Sequence, residues 1–126
     1  MIHKYRAKRK ANDEWVYGSL LITNQNTGLV YQIVTLDGYY FEVHPESVGT
    51  FTGLTDKNGV EIYESDIVNV YGSIGVVTWD DEYSQWSIRH PRKYINHPSK
   101  SMALYTNNIH EVIGNRFSNP ELLEGL

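Results

Sequence analysis

Two groups of acidic side chains could act together: Glu64 with Asp66, and Asp80, Asp81 with Glu82. If the strand-like runs 66–71 and 74–80 pair, both groups lie at one end of that hairpin. Clustered carboxylates can bind a hard cation or share a proton. Acids at such a position more often cap turns and stay solvated, and that structural role is the expected one. The five histidines, His3, His44, His90, His97 and His110, form no helical His-x-x-x-His pair and no compact ligand spacing. Only His90 and His97 flank a common segment. Zinc asks for three or four ligands, and the chain has no cysteine to supply thiolates. No Gly-x-Ser-x-Gly occurs, and Gly72-Ser73-Ile74-Gly75 has the wrong spacing for a nucleophile elbow. A Gly-x-x-x-x-Gly-Lys phosphate loop is absent too. The residues therefore predict neither an enzyme nor a metal or cofactor site.

The basic residues are the other candidates. Eleven Lys and Arg stand against fifteen Asp and Glu, a net charge of −4 that argues against generic phosphate binding. Their distribution is uneven. Lys4, Arg6, Lys8, Arg9 and Lys10 fall in the first ten residues, and Arg89, Arg92, Lys93 and Lys100 near one another later. Arg89, Arg92, Lys93 and Tyr94 interleave base with an aromatic ring, which offers phosphate contact plus stacking. These four are the candidate contacts for nucleic acid or another partner. The blander reading is two solvated segments, because position along a sequence says little about position in space.

At 126 residues, 40% hydrophobic and 21% charged, the chain has the size and composition of one folded domain, residues 1–126. No run approaches the roughly 18–20 apolar residues of a membrane-spanning helix. The N-terminus carries charge without the apolar stretch of a signal peptide. Together with the lack of cysteine, this places the protein in the cytoplasm.

The elements that must position these residues are strands. Tyr39, Phe41 and Val43 alternate with Tyr40, Glu42 and His44, and Trp86 and Ile88 with Gln85, Ser87 and Arg89. Strand-favouring residues also fill Trp15 to Ile22, Leu29 to Thr35, Ile67 to Tyr71 and Ile74 to Trp79. Asp37-Gly38 and Asn58-Gly59 mark turns, the second held by the Asp56 side chain, with Gly59 at positive φ. Residues 24–28 read as a connection, and Gly72-Ser73 with Gly75 as the link between the strands around Val68 and Val77. The alternation puts Trp79 and Trp86 together in one core. Asn119-Pro120-Glu121 signals a helix start, with room for one or two turns. Residues 90–100 read as a long loop broken by two prolines.

The segment from Val43 through Val68 resembles the YopX family of phage and prophage proteins. The residues that carry the likeness are Pro45-Glu46-Ser47-Val48-Gly49, Phe51-Thr52-Gly53-Leu54, Asp56-Lys57-Asn58-Gly59, Glu61-Ile62-Tyr63-Glu64 and Asp66-Ile67-Val68. It continues through Gly75-Val76-Val77, Trp79-Asp80, Val112-Ile113-Gly114-Asn115 and Asn119-Pro120-Glu121-Leu122-Leu123, and in Lys4-Tyr5-Arg6-Ala7 and Trp15-Val16-Tyr17-Gly18 near the start. Two positions depart from the family pattern. Ser65 stands where the family usually has glycine, so no positive φ is expected there, and Arg116 follows Gly114-Asn115 where an apolar residue is usual. The resemblance implies a β-rich, barrel-like fold and an origin in a mobile element, with no reaction attached. Asp66-Ile67-Val68, a glycine turn and Gly75-Val76-Val77 are also similar to part of an SH3-like barrel.

The sequence thus predicts a mainly β protein, a small bent sheet or barrel with a short C-terminal helical turn. The expected role is a non-catalytic phage accessory that binds another protein or itself as a homo-oligomer. Nucleic-acid binding is the alternative.

Overall fold

The computed structural model describes residues 4–90, 101–103 and 109–124. Among these residues strands dominate, the pairings are antiparallel, and the helical content is confined to short 3-10 turns. The strands form two antiparallel sheets and neither is closed, so the expected β class is found without the closed barrel. No helix among the described residues is long and apolar enough to cross a membrane. The chain divides into two compact units, Met1–Phe51 and Thr52–Leu126.

The first unit contains β1 (Tyr5–Lys8), β2 (Trp15–Gln25), β3 (Gly28–Val34), β4 (Tyr40–Glu42) and the start of β5 (Gly49–Thr55), in the spatial order β4-β3-β2-β1-β5. Alternation sets its inner face. Ala7 lies opposite Val16, and Leu20 opposite Ile33, so these side chains share one side of the sheet. Ala7, Ile33 and Val43 are fully buried there, with Tyr5, Val16, Leu20, Tyr31 and Val48 packed around them. An isolated bridge between Arg9 and Val43, with Lys10 N–H donating to Glu42 and His44 N–H to Lys8, curls the end of the sheet back toward β1. Ser47, in the 3-10 turn Pro45–Ser47, is buried as part of this curl. Its hydroxyl donates to the His44 carbonyl at 2.7 Å and accepts from Lys8 N–H at 2.8 Å. The expected connection at 24–28 shrinks to a two-residue turn, because β2 continues to Gln25 and pairs with Gly28.

The second unit contains the rest of β5, then β6 (Glu61–Tyr63), β7 (Asp66–Val70), β8 (Ser73–Asp80), β9 (Gln85–Arg89), β10 (Ser101–Ala103) and β11 (Glu111–Asn115). Its five-stranded sheet runs β10-β9-β8-β7-β11. Ile62, Val68, Val70, Val77 and Ile88 form the core, flanked by Leu54, Trp86, Ile109 and Val112. The β7–β8 link is Tyr71-Gly72, both at positive φ (50° and 88°), the pattern of a two-residue hairpin turn whose twist suits the strands. Gly75 is no part of that link. It is buried within β8, where a Cβ would run into the Ile88 side chain.

Two further expectations change here. Ser65 does sit at positive φ, 74°, because Glu64-Ser65 is the whole connection between β6 and β7 and the tight turn leaves no alternative. Its backbone is fixed from both sides: Ser65 N–H donates to Val77, and its carbonyl accepts from Arg116 N–H. Trp79 and Trp86 are register partners with their rings edge to face at 5.2 Å. Only Trp86 packs on the core, while Trp79 is 44% exposed. Trp79 lies one pair from the end of the β8–β9 ladder, beyond the reach of the core residues. The C-terminal helical turn is present as Pro120–Leu123, but Asn119 does not cap it. Its Oδ1 accepts instead from Asn115 N–H at 3.2 Å.

Candidate functional site

A densely bonded polar side chain is Asp56, at the start of the Lys57-Asn58-Gly59 turn. It is 2% exposed, and its Oδ1 accepts from Asn58 N–H at 2.8 Å and Val60 N–H at 2.9 Å. Oδ2 accepts from Val112 N–H, also at 2.9 Å. Burial alone would raise the carboxyl pKa. The three N–H donors, led by Val112, and the Lys57 charge outweigh it and hold the group below its ordinary value. Three of the carboxylate's roughly four lone-pair sites are thus taken by backbone N–H groups. The carboxylate pins the turn to β11, and Lys57 reinforces the tie through its N–H on the His110 carbonyl and its ammonium 3.2 Å from Glu111.

The two acidic groups are not brought together. Asp66 is buried and accepts Tyr63 N–H at 2.7 Å through Oδ2. Asp80 Oδ1 accepts from Glu82 and Tyr83 N–H and shapes the β8–β9 turn. The β7–β8 register places Asp66 beside Val77, three residues short of Asp80, roughly 10 Å along a strand. Among the described residues no three of His, Asp or Glu gather in an arrangement that could hold a metal.

The histidines fill separate roles. His44 lies between Asp13, 2.9 Å from Nε2, and Glu46, 3.7 Å from Nδ1. His90 Nδ1 donates to the Ile74 carbonyl at 3.2 Å, since a carbonyl can only accept. His110 is 1% exposed, with no hydrogen-bond partner on Nε2 among the described residues, and burial pushes its pKa down, which favours the neutral ring. His3 and His97 lie outside the described residues.

Of the four candidate contact residues, Arg89 is exposed at the end of β9, opposite Val76 and Ser101. It lines an open polar hollow of about 280 Å³ with Thr78, Asp80, Asp81, Glu82 and Ser87. Three carboxylates beside one guanidinium make a poor seat for phosphate. Arg92, Lys93 and Tyr94 lie outside the described residues. The N-terminal cations engage the protein's own rings, a use that composition alone does not disclose. Arg6 and Lys8 both lie over Trp15, at 4.7 and 5.7 Å, Arg9 lies over Phe41 at 4.2 Å, and Lys4 over Phe51 at 5.9 Å. Lys10 pairs with Glu42 at 3.1 Å.

The feature that sequence reasoning missed is an apolar surface. In the first unit, Tyr17, Leu21, Ile22, Leu29, Tyr39 and Tyr40 are exposed, and Leu36 is fully so. All fall within β2, β3, β4 and the turn that follows β3. A signal was available in the sequence. From Trp15 through Leu36 there is no Asp, Glu, Lys, Arg or His.

The profile of a protein family described as YopX protein matches residues 4–124. No curated protein matches the chain. Among solved structures, the crystal structure of protein EF1440 from Enterococcus faecalis is similar, with a TM-score of 0.56 and 24% identity over 98% of this chain and 99% of that one. At that identity the likeness speaks for the fold alone.

Proposed function

The chain belongs to the YopX family, and we propose that it is a phage- or prophage-derived accessory protein that works without catalysis, by binding protein and in the first place a second copy of itself. The observation that carries this reading is the concentration of exposed Tyr, Leu and Ile side chains on β2, β3 and β4. Single exposed apolar residues are ordinary on any surface, but seven between Tyr17 and Tyr40, five on strands and two in the turn after β3, favour a contact that removes them from water. Most polar groups that might do chemistry are otherwise engaged: Asp56 and Asp66 hold backbone N–H groups, and the N-terminal cations sit on aromatic rings. The acidic surroundings of Arg89 weigh against nucleic acid as the partner.

Sedimentation velocity on the purified chain tests the reading. The expected result is a species heavier than the 14.5 kDa monomer that grows between roughly 1 and 100 µM, the range in which weak dimers form. A monomer throughout that range would remove self-association from the proposal.

A further inference from the structure

We infer that Asn58 is a site of spontaneous covalent modification, conversion to aspartate and isoaspartate through a cyclic imide, and that Asp56 is the clamp that holds this reaction back in the folded protein. Asn58 is the one asparagine in the chain followed by glycine. Glycine matters because it brings no Cβ to crowd its own amide nitrogen. Both residues are exposed, and beyond the chain neighbours nothing lies within 4 Å of the point where a Gly59 Cβ would stand. Water and base therefore reach the turn. The bond that Asn58 makes among the described residues comes from its backbone N–H, which leaves its side-chain amide to react.

The chemistry needs only water and hydroxide. Hydroxide removes the Gly59 amide proton, and the nitrogen attacks Cγ of Asn58 at close range within one chain. A bond forms from the Gly59 nitrogen to Cγ, and the bond from Cγ to Nδ2 breaks. The side-chain nitrogen leaves as ammonia, taking a proton from water and returning hydroxide. Water then adds to either carbonyl of the imide ring. Breaking the bond from nitrogen to Cγ gives aspartate. Breaking the bond to the main-chain carbon gives isoaspartate, whose backbone runs through the side chain and is one carbon longer. Nothing is oxidised or reduced.

The folded turn opposes the attack. The Gly59 nitrogen must swing about the Asn58 Cα–C bond to meet Cγ, yet its N–H donates to the Asp56 carbonyl at 3.0 Å. Asp56 Oδ1 holds the N–H groups on either side, Asn58 at 2.8 Å and Val60 at 2.9 Å. The swing breaks the Gly59 and Val60 bonds together. The carboxylate is held from following them, because Oδ2 is fastened to Val112 N–H at 2.9 Å on β11. The same contacts give the modification its consequence. The extra carbon of isoaspartate displaces Val60 from Oδ1 and loosens the turn that Asp56 and Lys57 tie to β11.

The test follows conversion at Asn58 during incubation at mildly alkaline pH. Peptide mapping reads the mass gained as the amide becomes an acid, and chromatography separates isoaspartate from aspartate. The folded wild type should convert at least about 10-fold more slowly than the same chain in concentrated urea, the combined effect of two hydrogen bonds. Asp56→Ala removes both Oδ1 bonds and should convert about 10-fold faster than the folded wild type. Asp56→Asn loses the Val112 bond but keeps an acceptor for Asn58 and Val60, so its rate should lie between those two. If Asp56→Ala does not fold, Asp56→Ser takes its place with the same expected direction, since its one oxygen reaches a single N–H. No conversion in urea, or aspartate formed without isoaspartate, overturns the site. A folded wild type as fast as the unfolded chain, or an Asp56→Ala or Asp56→Ser rate no higher than the wild type's, overturns the clamp. Equal rates in Asp56→Ala and Asp56→Asn also overturn it, because they trace the effect to lost stability in general.

Discussion

The Asp56 carboxylate and the backbone N–H of Val112 lie 56 residues apart in sequence and 2.9 Å apart in space. The same carboxylate's other oxygen closes the Lys57-Asn58-Gly59 turn, so one side chain joins a local turn to the edge strand β11. Asn at this position would keep an acceptor for Asn58 and Val60 but set an NH2 group against the Val112 N–H. Asp56→Asn should therefore cost about 2 kcal/mol, the scale of one charged hydrogen bond lost at a buried donor. Asp56→Ala strands all three donors and should cost more, at least ~3 kcal/mol. Urea midpoints measure both: an unchanged midpoint in Asp56→Asn would show that the Val112 bond contributes nothing of its own, and equal losses in the two variants that the turn's two bonds add nothing to it.

Acid should destabilise the protein in two stages. The folded pKa of His110 lies below its ordinary 6.5 because of burial. Below about pH 6.5 the unfolded chain takes up a proton that the folded chain refuses. Stability is full above that pH and falls by up to ~1.4 kcal/mol per pH unit until the folded pKa is reached. The folded pKa of Asp56 lies below 3.8, so its contribution is complete above about pH 4 and is lost as pH falls through the folded value. His110→Leu should flatten the first stage and leave the second. Urea midpoints taken between pH 7.5 and 5 decide the matter: a wild type no more acid-sensitive than His110→Leu in that window would refute the assignment.

Ser65 and Gly59 make a matched pair for backbone strain. Both have φ near +75 to +80°, yet only one is a glycine. An L-residue in this region costs about 1–2 kcal/mol, and glycine returns part of that through the entropy of the unfolded chain. Ser65→Gly should thus stabilise by roughly 0.5–1 kcal/mol. Gly59→Ala should destabilise by about 1 kcal/mol, through the backbone alone, since nothing lies within 4 Å of the added Cβ. No gain from Ser65→Gly in a denaturant titration would mean that the hydroxyl, not the backbone, governs this turn.

What was legible in the sequence follows the range of the interactions. Period-two alternation located the strands, and Asp56 with Asn58-Gly59 announced a turn, because both are written within a few residues. The Oδ2 bond to Val112 could not be read, since nothing local distinguishes a carboxylate that faces a distant strand. Alternation correctly made Trp79 and Trp86 neighbours, but it carries no information on how far along the ladder the core extends. Lys4, Arg6 and Lys8 alternate visibly in the sequence, whereas the rings that they and Arg9 lie over come from β2, β4 and β5. The charge-free stretch 15–36 was present in the sequence. Its meaning depended on knowing which of its side chains the fold leaves exposed.

The two tryptophans should separate in a truncation experiment. Trp86 packs against Ile88 and its core neighbours, so Trp86→Ala should cost ~3–5 kcal/mol. Trp79→Ala gives up mainly one edge-to-face contact, worth about 0.5–1.5 kcal/mol, plus a partial burial. The same difference should appear in fluorescence, with the iodide-quenchable signal reduced in Trp79→Ala and kept in a folded Trp86→Phe. Equal destabilisation by the two alanine variants would place both indoles in the core after all.

Nucleic acid provides the sharpest contrast with a protein partner. Binding to phosphate would depend on several cations acting together, and each phosphate neutralised would steepen the salt dependence. Arg89 instead shares its hollow with Asp80, Asp81 and Glu82, and the chain as a whole carries a charge of −4. Lys8 and Arg9 lie over Trp15 and Phe41, and Lys10 pairs with Glu42, which leaves those cations less able to meet a backbone. The expected result is no detectable binding to single- or double-stranded oligonucleotides at low ionic strength, where any electrostatic affinity is greatest. Binding that weakens steeply with salt would reverse this. In that case Arg92→Ala with Lys93→Ala should lower the salt slope by about two phosphate contacts. Tyr94→Ala should then cost ~1–3 kcal/mol on single strands through lost stacking, which would identify the segment after β9 as the contact.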